Sequence, residues 1–194
     1  NTISWHLRNP LTGGSSWDVS SKEVVKSILP GGAKHELFKQ YLDKLADFML
    51  ALKSEDGKYI PVLFRPFHEH TGSWFWWGRD FCTPDEYKAL WRFTVNYLRD
   101  TKDVHQFLYA YSPDKVKDSD EYFERYPGDD YVDVLGLDNY LRGENPKEIE
   151  EPRKKAAPTR AEHFQDSSPN LRPASRGMQW VRVGAGRETR ISPR

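Results

Sequence analysis

The stretch that decides the fold is Ile60-Pro-Val-Leu-Phe-Arg-Pro-Phe-His-Glu69. Its first half is a continuous apolar run, which is typical of a β-strand buried on both faces. Its second half brings a guanidinium, an imidazole and a carboxyl group directly after that run. A buried strand that turns polar where it ends predicts a parallel sheet with functional side chains at that edge.

Strand and helix patterns alternate on both sides of this stretch. Upstream, residues 2–7 form a short strand-like run, and apolar residues recur at helical spacing over residues 34–52. Downstream, Thr83-Pro84-Asp85-Glu86 predicts the start of a helix with a capping box. Further strands are predicted at residues 107–111 and 132–137.

Buried strands that alternate with amphipathic helices predict parallel strands joined by right-handed crossovers. Four such strands make half of an eight-stranded barrel, a fold that typically needs about 250 residues. We therefore expect an α/β chain that forms a partial (β/α)8 TIM barrel.

The overall composition narrows the functional classes. The 29 basic and 29 acidic residues balance, so no net charge favours nucleic acid as a partner. The single cysteine, Cys82, excludes an intrachain disulfide and a multi-cysteine metal site. No apolar run approaches the roughly 20 residues that span a bilayer. The 7 Trp, 10 Tyr and 10 Phe residues suit sugar binding and core packing equally well.

The character of the chain changes after residue 151. Residues 152–194 contain eight Arg and two Lys, whereas residues 1–150 contain seven Arg and twelve Lys. Apolar periodicity also ends there. We predict a partial barrel over residues 1–151 and a basic tail over residues 152–194, which is either disordered or the product of a frameshift. Because residues 2–5 read like the middle of a strand, we expect the chain to be a fragment.

Polar residues follow each predicted strand at the same end. In β/α barrels, the reacting groups lie just past the carboxyl ends of the strands. The set at these positions is His6, Arg65, His68, Glu69, Ser112, Asp114, Asp138, Asn139 and Tyr140.

Glu69 is the best candidate for proton transfer. It follows the buried strand and precedes a loop crowded with aromatic rings, residues 71–78. Partial burial against rings disfavours a charged carboxylate, as a general acid requires. His68 and Arg65 are close enough in sequence to orient the carboxyl group or to offset its charge. The alternative is a surface glutamate in a loop that abuts a structural Trp cluster.

The triplet His68-Glu69-His70 also allows a metal hypothesis. Alternate residues of an extended segment point to one side, so His68 and His70 could share an ion completed by Asp138 or His6. No HExxH spacing supports this hypothesis, and we predict no metal site.

At these residues the sequence resembles glycoside hydrolase family 26, whose best-known members are endo-β-1,4-mannanases. The matching pieces run in order over about residues 1–150: Ile3-Ser4-Trp5-His6; Arg65-Pro66-Phe67-His68-Glu69 with Trp74 five residues later; Tyr109-Ala110-Tyr111-Ser112-Pro113-Asp114; and Gly136-Leu137-Asp138-Asn139-Tyr140. The resemblance implies that the predicted strands are the third to sixth of a catalytic (β/α)8 barrel.

The resemblance also implies roles for individual residues. Glu69 is expected to be the general acid/base of a retaining reaction that needs no cofactor. Trp74 is expected to form part of the sugar platform. The residues expected to bind substrate are His6, Arg65, His68, Trp74, Asp138 and Tyr140, with His68 tuning Glu69 and Tyr140 lying near the nucleophile.

One part of the family pattern is missing. The family places its nucleophilic glutamate some 30 to 40 residues after the Asp-Asn-Tyr segment, where residues 171–177 of this chain contain no carboxylate. Glu162 and Glu188 are the only glutamates after residue 151, and neither has the family context. We therefore assign no nucleophile, and this chain could be inactive.

The expected function is hydrolysis of β-1,4-mannan or galactomannan by a monomeric bacterial protein that is secreted, periplasmic or at the cell surface. The alternatives are an inactive carbohydrate-binding relative and a family member that acts on β-1,3-xylan or mixed-linkage β-glucan. A metal-dependent hydrolase is a third class. The polysaccharide is the expected partner, with neither nucleic acid nor a membrane span.

Overall fold

A parallel sheet organises the protein. The structure, a computed structural model, describes residues 1–138 and the strand at residues 179–183. The five strands lie in chain order across the sheet: β1 (Thr2–Trp5), β2 (Val62–Pro66), β3 (Phe107–Tyr111), β4 (Val134–Asp138) and β5 (Gln179–Val183). Every neighbouring pair is parallel, so all the carboxyl ends lie at one edge. The predicted α/β architecture, a partial (β/α)8 barrel, is confirmed.

The helices cover the sheet between successive strands. They are α1 (Val24–Ile28), α2 (His35–Ala51), α3 (Pro84–Asn96) and α4 (Ser119–Phe123), with a π-helical turn at Tyr97–Thr101 and a 3-10 turn at Asp129–Tyr131. The periodicity predicted α2 to within one residue at each end. Phe38, Leu42, Ala46 and Met49 form its fully buried stripe because residues three or four apart share one helix face.

The start of α3 is fixed by the predicted capping box. The Glu86 backbone N–H donates to Thr83 Oγ1 over 3.2 Å, and the Thr83 N–H donates to Glu86 Oε2 over 2.8 Å. Two of the amide groups that a helix start leaves without partners are thereby satisfied. Trp91 and Tyr87 of α3 are fully buried, and both rings pack against Phe67, which directly follows β2, so the cap sets where these large rings lie.

The two outer strands of the sheet, β5 and β1, have different surroundings. Gln179–Val183 lies in parallel register beside β4, in a region where the sequence predicted no strand. At the other edge, β1 and α2 enclose an apolar hollow of about 240 Å³ that includes Ile3, Trp5 and Phe48. Within the described part of the chain, none of the helices has the length and apolarity that crossing a bilayer requires.

Candidate active site

Four strands place a polar layer at the carboxyl edge of the sheet. Arg65 Nη1 donates to Ser4 Oγ over 2.7 Å, and Arg65 Nη2 donates to Asp138 Oδ1 over 2.6 Å. Ser112 Oγ donates to Asp138 Oδ2 over 2.6 Å. Because Ser4 lies directly opposite Arg65 in the parallel register, the layer spans β1, β2, the end of β3 and β4. The layer thus brings together three of the polar residues noted at the predicted strand ends, Arg65, Ser112 and Asp138, and adds Ser4, which was not among them.

The ion pair of this layer is sealed from water. The Arg65 and Asp138 side chains are 1% and 0% exposed. Burial raises the pKa of Asp138 to about 6, although the Arg65 guanidinium and the Ser112 hydroxyl oppose that rise. Both Asp138 oxygens and both terminal nitrogens of Arg65 have partners, which a buried ion pair needs in order to offset desolvation.

Glu69 lies immediately after this layer in an unusual backbone conformation. Its φ is +53°, and that of Phe67 is +47°. Left-handed backbone at residues other than glycine costs about 1–3 kcal/mol and persists where the surroundings over-determine it. Here the Glu69 N–H donates to the Ser112 carbonyl over 2.8 Å, and Tyr87 Oη donates to the Phe67 carbonyl over 2.8 Å. These contacts hold the turn that carries the carboxyl group.

The Glu69 carboxyl group meets the aromatic loop. Trp74 Nε1 donates to Glu69 Oε2 over 2.8 Å. The Trp74 side chain is 39% exposed, whereas Glu69 is only 9% exposed. Asp114, which follows β3, is half-buried; burial raises its pKa, and the nearby charge of Glu69 adds to that effect. Glu69 therefore has an indole donor on one oxygen and a second carboxyl group within electrostatic reach.

A ring cluster continues from Glu69 toward the start of the chain. His6 lies 4.7 Å from His68 and 5.4 Å from Trp17 between ring centroids, and it stacks on Trp17. Phe75 closes the cluster at 5.6 Å from His6 and 5.2 Å from His68. Burial, together with the charges of Arg65 and His6, holds the pKa of His68 well below its usual value. His68 is thus a neutral ring at physiological pH.

Comparison with known proteins assigns a family to this arrangement. Residues 1–152 match the model of glycosyl hydrolase family 26. The chain belongs to glycosyl hydrolase family 26. The resemblance seen in the sequence motifs is confirmed.

Several curated and solved relatives of this chain are named as mannanases. The chain is 49% identical over 141 residues to a mannan endo-1,4-beta-mannosidase of Bifidobacterium adolescentis, covering 72% of this chain and 14% of that protein. It is 34% identical over 147 residues to a mannan endo-1,4-beta-mannosidase of Bacillus subtilis, covering 72% and 39%. The structure of a GH26 beta-mannanase from Bacteroides ovatus superposes with a TM-score of 0.71 at 52% identity, covering 77% and 43%. The chain spans less than half the length of each of these relatives.

The family 26 substrate-binding predictions fall into three groups. Trp74 donates to Glu69, and His6 and His68 pack against Phe75, which follows Trp74 in the chain. Arg65 and Asp138 are buried, and the two terminal nitrogens of Arg65 and both Asp138 oxygens are bonded to neighbouring side chains; their direct contact with substrate stays a prediction. Tyr140 lies outside the described residues, as does every position at which the nucleophile was sought.

The metal hypothesis assumed that His68 and His70 point to the same side of an extended segment, and this assumption is wrong. His68 packs against His6, Phe75 and Trp77, whereas His70 lies between Tyr87 and Tyr111 at 4.4 and 4.8 Å. The left-handed φ of Glu69 breaks the alternation of an extended segment, so the two imidazoles do not share one side. Among the described residues, no three His, Cys, Asp or Glu side chains form a group that could hold a metal ion.

Sequence reasoning missed two hydrogen bonds that support the candidate site. Trp77 Nε1 donates to the His68 carbonyl over 2.8 Å, and Trp76 Nε1 donates to the Leu7 carbonyl over 3.0 Å. Both indoles are fully buried and tie the aromatic loop to the ends of β1 and β2. The consecutive Trp pair was visible in the sequence, but its pattern did not distinguish a loop anchor from a sugar platform.

Proposed function

We propose that this chain carries the acid/base half of a retaining endo-β-1,4-mannosidase that cleaves mannan or galactomannan. The observation that carries the proposal is the Glu69 carboxyl group, mostly buried at the strand-end mouth with an exposed indole donating to it over 2.8 Å. Family membership and the printed names of the relatives support the substrate class.

Glu69 acts in both steps of this proposed reaction. In the first step it donates a proton to the departing glycosidic oxygen while a second carboxylate attacks the sugar from the opposite face. In the second step it removes a proton from the incoming water, which cleaves the glycosyl-enzyme bond and returns Glu69 to its acid form. Retaining enzymes hold their two carboxyl groups about 5–5.5 Å apart.

The rings around Glu69 are the proposed sugar platform. Trp74 and Trp17 are 39% and 47% exposed, so each has an apolar face open to a pyranose ring. Phe75 lies 5.3 Å from Trp17 and 6.4 Å from Trp74 between ring centroids, so it connects the two exposed rings. His6 stacks on Trp17. This surface gives the substrate contact and orientation on the near side of the cleavage point.

The polar layer beneath the platform sets the position of Glu69. Asp138 and Ser112 are joined by a hydrogen bond, and the Ser112 carbonyl accepts the Glu69 N–H. Arg65 links that unit to β1 through Ser4. Positioning residues of this kind hold a general acid in the geometry that proton transfer requires.

A second candidate function is carbohydrate binding without hydrolysis. The observation that favours it is the absence of a carboxylate among residues 171–177, where the family nucleophile is expected. Under this alternative the aromatic platform binds mannan and Glu69 has no partner carboxylate with which to complete the reaction.

The proposed partner of the chain is the polysaccharide alone, with neither nucleic acid nor cofactor, and the protein acts as a monomer. Because a polymeric mannan does not cross a membrane, the proposed place of action is outside the bacterial cytoplasm: secreted, periplasmic or at the cell surface.

The test uses the purified chain with mannohexaose, β-1,3-xylohexaose and a mixed-linkage glucan hexasaccharide. Products are identified by mass spectrometry, and affinity is measured by calorimetry. Glu69→Gln is compared with Glu23→Gln, an exposed glutamate of which the side chain is 67% exposed. Under the proposed function a carboxylate outside the described residues completes the pair, and we then expect cleavage of mannohexaose, lowered about 10²- to 10⁴-fold by Glu69→Gln and unchanged by Glu23→Gln.

Each result separates the alternatives. Binding of mannohexaose without cleavage favours the carbohydrate-binding function. Cleavage that survives Glu69→Gln contradicts the acid/base role, and cleavage that a chelator abolishes favours a metal-dependent hydrolase. If the chain cleaves one of the other two hexasaccharides better than mannohexaose, mannan is not its substrate.

A further inference from the structure

Gly72 lies under the indole of Trp74. A Cβ atom built on Gly72 would overlap the Cη2, Cζ3 and Cζ2 atoms of that ring. The backbone of Gly72 is not in the left-handed region that favours glycine, so the ring itself is what excludes a side chain. The six-membered ring of the indole therefore packs directly on the Cα of Gly72, and we call this contact surface the seat of Trp74.

This seat is rigidly connected to Glu69. The Gly72 N–H donates to the Glu69 carbonyl over 3.0 Å, and the Gly72 carbonyl accepts the Arg79 N–H over 2.9 Å. Gly78 closes the same loop, since its N–H donates to the Phe75 carbonyl over 2.8 Å. The plane on which the indole lies is consequently fixed relative to the backbone of the acid/base residue.

An indole as exposed as that of Trp74 needs such a seat to keep one orientation. Its side chain is 39% exposed, and its ring contact with Phe75 is long, with 6.4 Å between centroids. Nevertheless its Nε1 reaches Glu69 Oε2 over 2.8 Å. Contact with the Gly72 Cα on one face restricts the ring to the orientation in which the N–H points at that oxygen.

The hydrogen bond also distinguishes the two oxygens of the carboxyl group. In a protonated carboxyl group the carbonyl oxygen is the stronger acceptor, and the hydroxyl oxygen carries the proton. Since Oε2 accepts the indole N–H, Oε2 is the carbonyl oxygen of the acid form, and the transferable proton resides on Oε1.

We propose that Gly72 is a positioning residue: it seats Trp74 so that the indole N–H occupies Glu69 Oε2 and directs the exchangeable proton to Oε1. The chemical importance of that proton rests on the proposed function of Glu69. In the proposed reaction the proton leaves Oε1 for the glycosidic oxygen in the first step and returns to Oε1 from water in the second.

The test follows the indole N–H signals of the ¹⁵N-labelled chain by NMR as the pH is varied. Trp74 donates to a carboxylate, whereas Trp76, Trp77 and Trp91 donate to the backbone carbonyls of Leu7, His68 and Tyr131. Carbonyls do not titrate, so these three signals are references within the same molecule. Trp74→Phe identifies the signal of Trp74 by its disappearance.

We expect the Trp74 signal to move with pH in the wild type and to become flat in Glu69→Gln. In Gly72→Ala we expect it to shift to the position of a solvent-exposed indole and to lose its pH dependence. Ser73→Ala, a one-atom deletion in the same loop, should keep the wild-type curve. A Trp74 signal in Gly72→Ala that still titrates as in the wild type overturns the proposal.

The wild-type chain gives a second test that does not depend on the folding of Gly72→Ala. The Hα protons of Gly72 should show a nuclear Overhauser effect to Trp74 Hη2. The ring current of the indole should also shift one of them upfield, and Trp74→Phe should remove that shift. Absence of that contact contradicts the seat. None of these signals requires hydrolysis, so a chain that titrates at Trp74 but leaves mannohexaose intact disproves the proposed function alone. A chain that cleaves mannohexaose with a flat Trp74 signal disproves the positioning alone.

Discussion

Asp138 and His70 are both fully buried titratable side chains, yet their surroundings differ completely. Asp138 lies at the carboxyl end of β4, where Arg65 and Ser112 each donate to one of its oxygens over 2.6 Å. His70 lies between the rings of Tyr87 and Tyr111, and neither of its ring nitrogens has a hydrogen-bond partner among the described residues.

The difference shows two ways to keep a polar group away from water. Asp138 is surrounded by donors, although burial still raises its pKa to about 6. His70 stays neutral, because burial and the charges of Arg125 and Arg79 hold its pKa well below the usual value. A partner charge therefore stabilises the region under Glu69, whereas ring packing stabilises the region against α3.

Asp138 and His70 also make the free energy of unfolding depend on pH in opposite directions. The folded chain holds the Asp138 proton up to about pH 6, whereas the unfolded chain releases it near 3.8. That contribution is present below 3.8 and is lost as the pH rises to about 6. His70 contributes above about pH 6.5, its value in the unfolded chain, and its contribution is lost as the pH falls through its lower folded value.

Removing the charge of Arg65, the partner of Asp138, should have the largest effect on the free energy of unfolding. Arg65→Leu leaves Asp138 buried without its cation, and the free energy of unfolding should fall by about 3–5 kcal/mol at pH 8. The loss should be smaller at pH 5, where Asp138 is protonated. Denaturant unfolding at both values measures it. Ser4→Ala, which removes only one Arg65 hydrogen bond, should cost about 1 kcal/mol. Equal losses in both variants would contradict the charge-based account of this region.

The pH dependence of stability should come next in size. As the pH falls below 6.5, the unfolded chain binds a proton at His70 more readily than the folded chain does, so the free energy of unfolding falls with pH. His70→Leu should make that fall shallower, by at most about 1.4 kcal/mol per pH unit. His105→Gln, at a side chain that is 64% exposed, is the control. Identical slopes in wild type and His70→Leu would show that the ring does not stay neutral.

A single hydroxyl group on the His70 side should matter less. Tyr87→Phe removes the hydrogen bond from Tyr87 Oη to the Phe67 carbonyl, and the free energy of unfolding should fall by about 1 kcal/mol at any pH between 5 and 8. Thermal and denaturant unfolding report the change. Tyr59→Phe, at an exposed tyrosine, should change it by no more than about 0.5 kcal/mol. A cost for Tyr87→Phe no greater than that of the control would refute the role of this bond in holding the turn.

The smallest change in stability is expected at the mouth. Trp17→Ala removes a ring that is 47% exposed, so the free energy of unfolding should change by less than about 0.5 kcal/mol. Under the proposed function the same variant weakens mannohexaose binding, measured by calorimetry. Phe48→Ala, at a 46% exposed ring on α2, should leave binding unchanged. Equal affinities for both variants would remove Trp17 from the platform.

Much of the fold was predictable because its signals are local. The apolar run before Arg65 identified β2, and the capping box at Thr83 identified the start of α3. The five-residue helices Val24–Ile28 and Ser119–Phe123 were not predicted. Helices this short lack a full period of apolar residues and depend on tertiary packing for their stability.

The candidate site was predictable in its membership more than in its geometry. Strand ends brought Arg65 and Asp138 together as expected, because parallel strands end at one edge. The metal hypothesis gave His70 the wrong orientation because it assumed an extended backbone at Glu69. The backbone there is left-handed, and the sequence has no glycine or asparagine at that position to signal it. The bond between Trp74 and Glu69 depends on the bare Cα of Gly72, a steric detail that spacing does not contain.

Among the strands that the structure describes, β1 lies at one end of the sheet. This position has a practical consequence for the chain when it is purified as residues 1–194. An edge strand presents a row of backbone donors and acceptors to which another chain can add a strand. Here the row runs beside the apolar hollow formed with Phe48, so strand addition would also bury hydrocarbon. We expect aggregation during concentration to begin at this edge and the usable concentration of the purified protein to be set there.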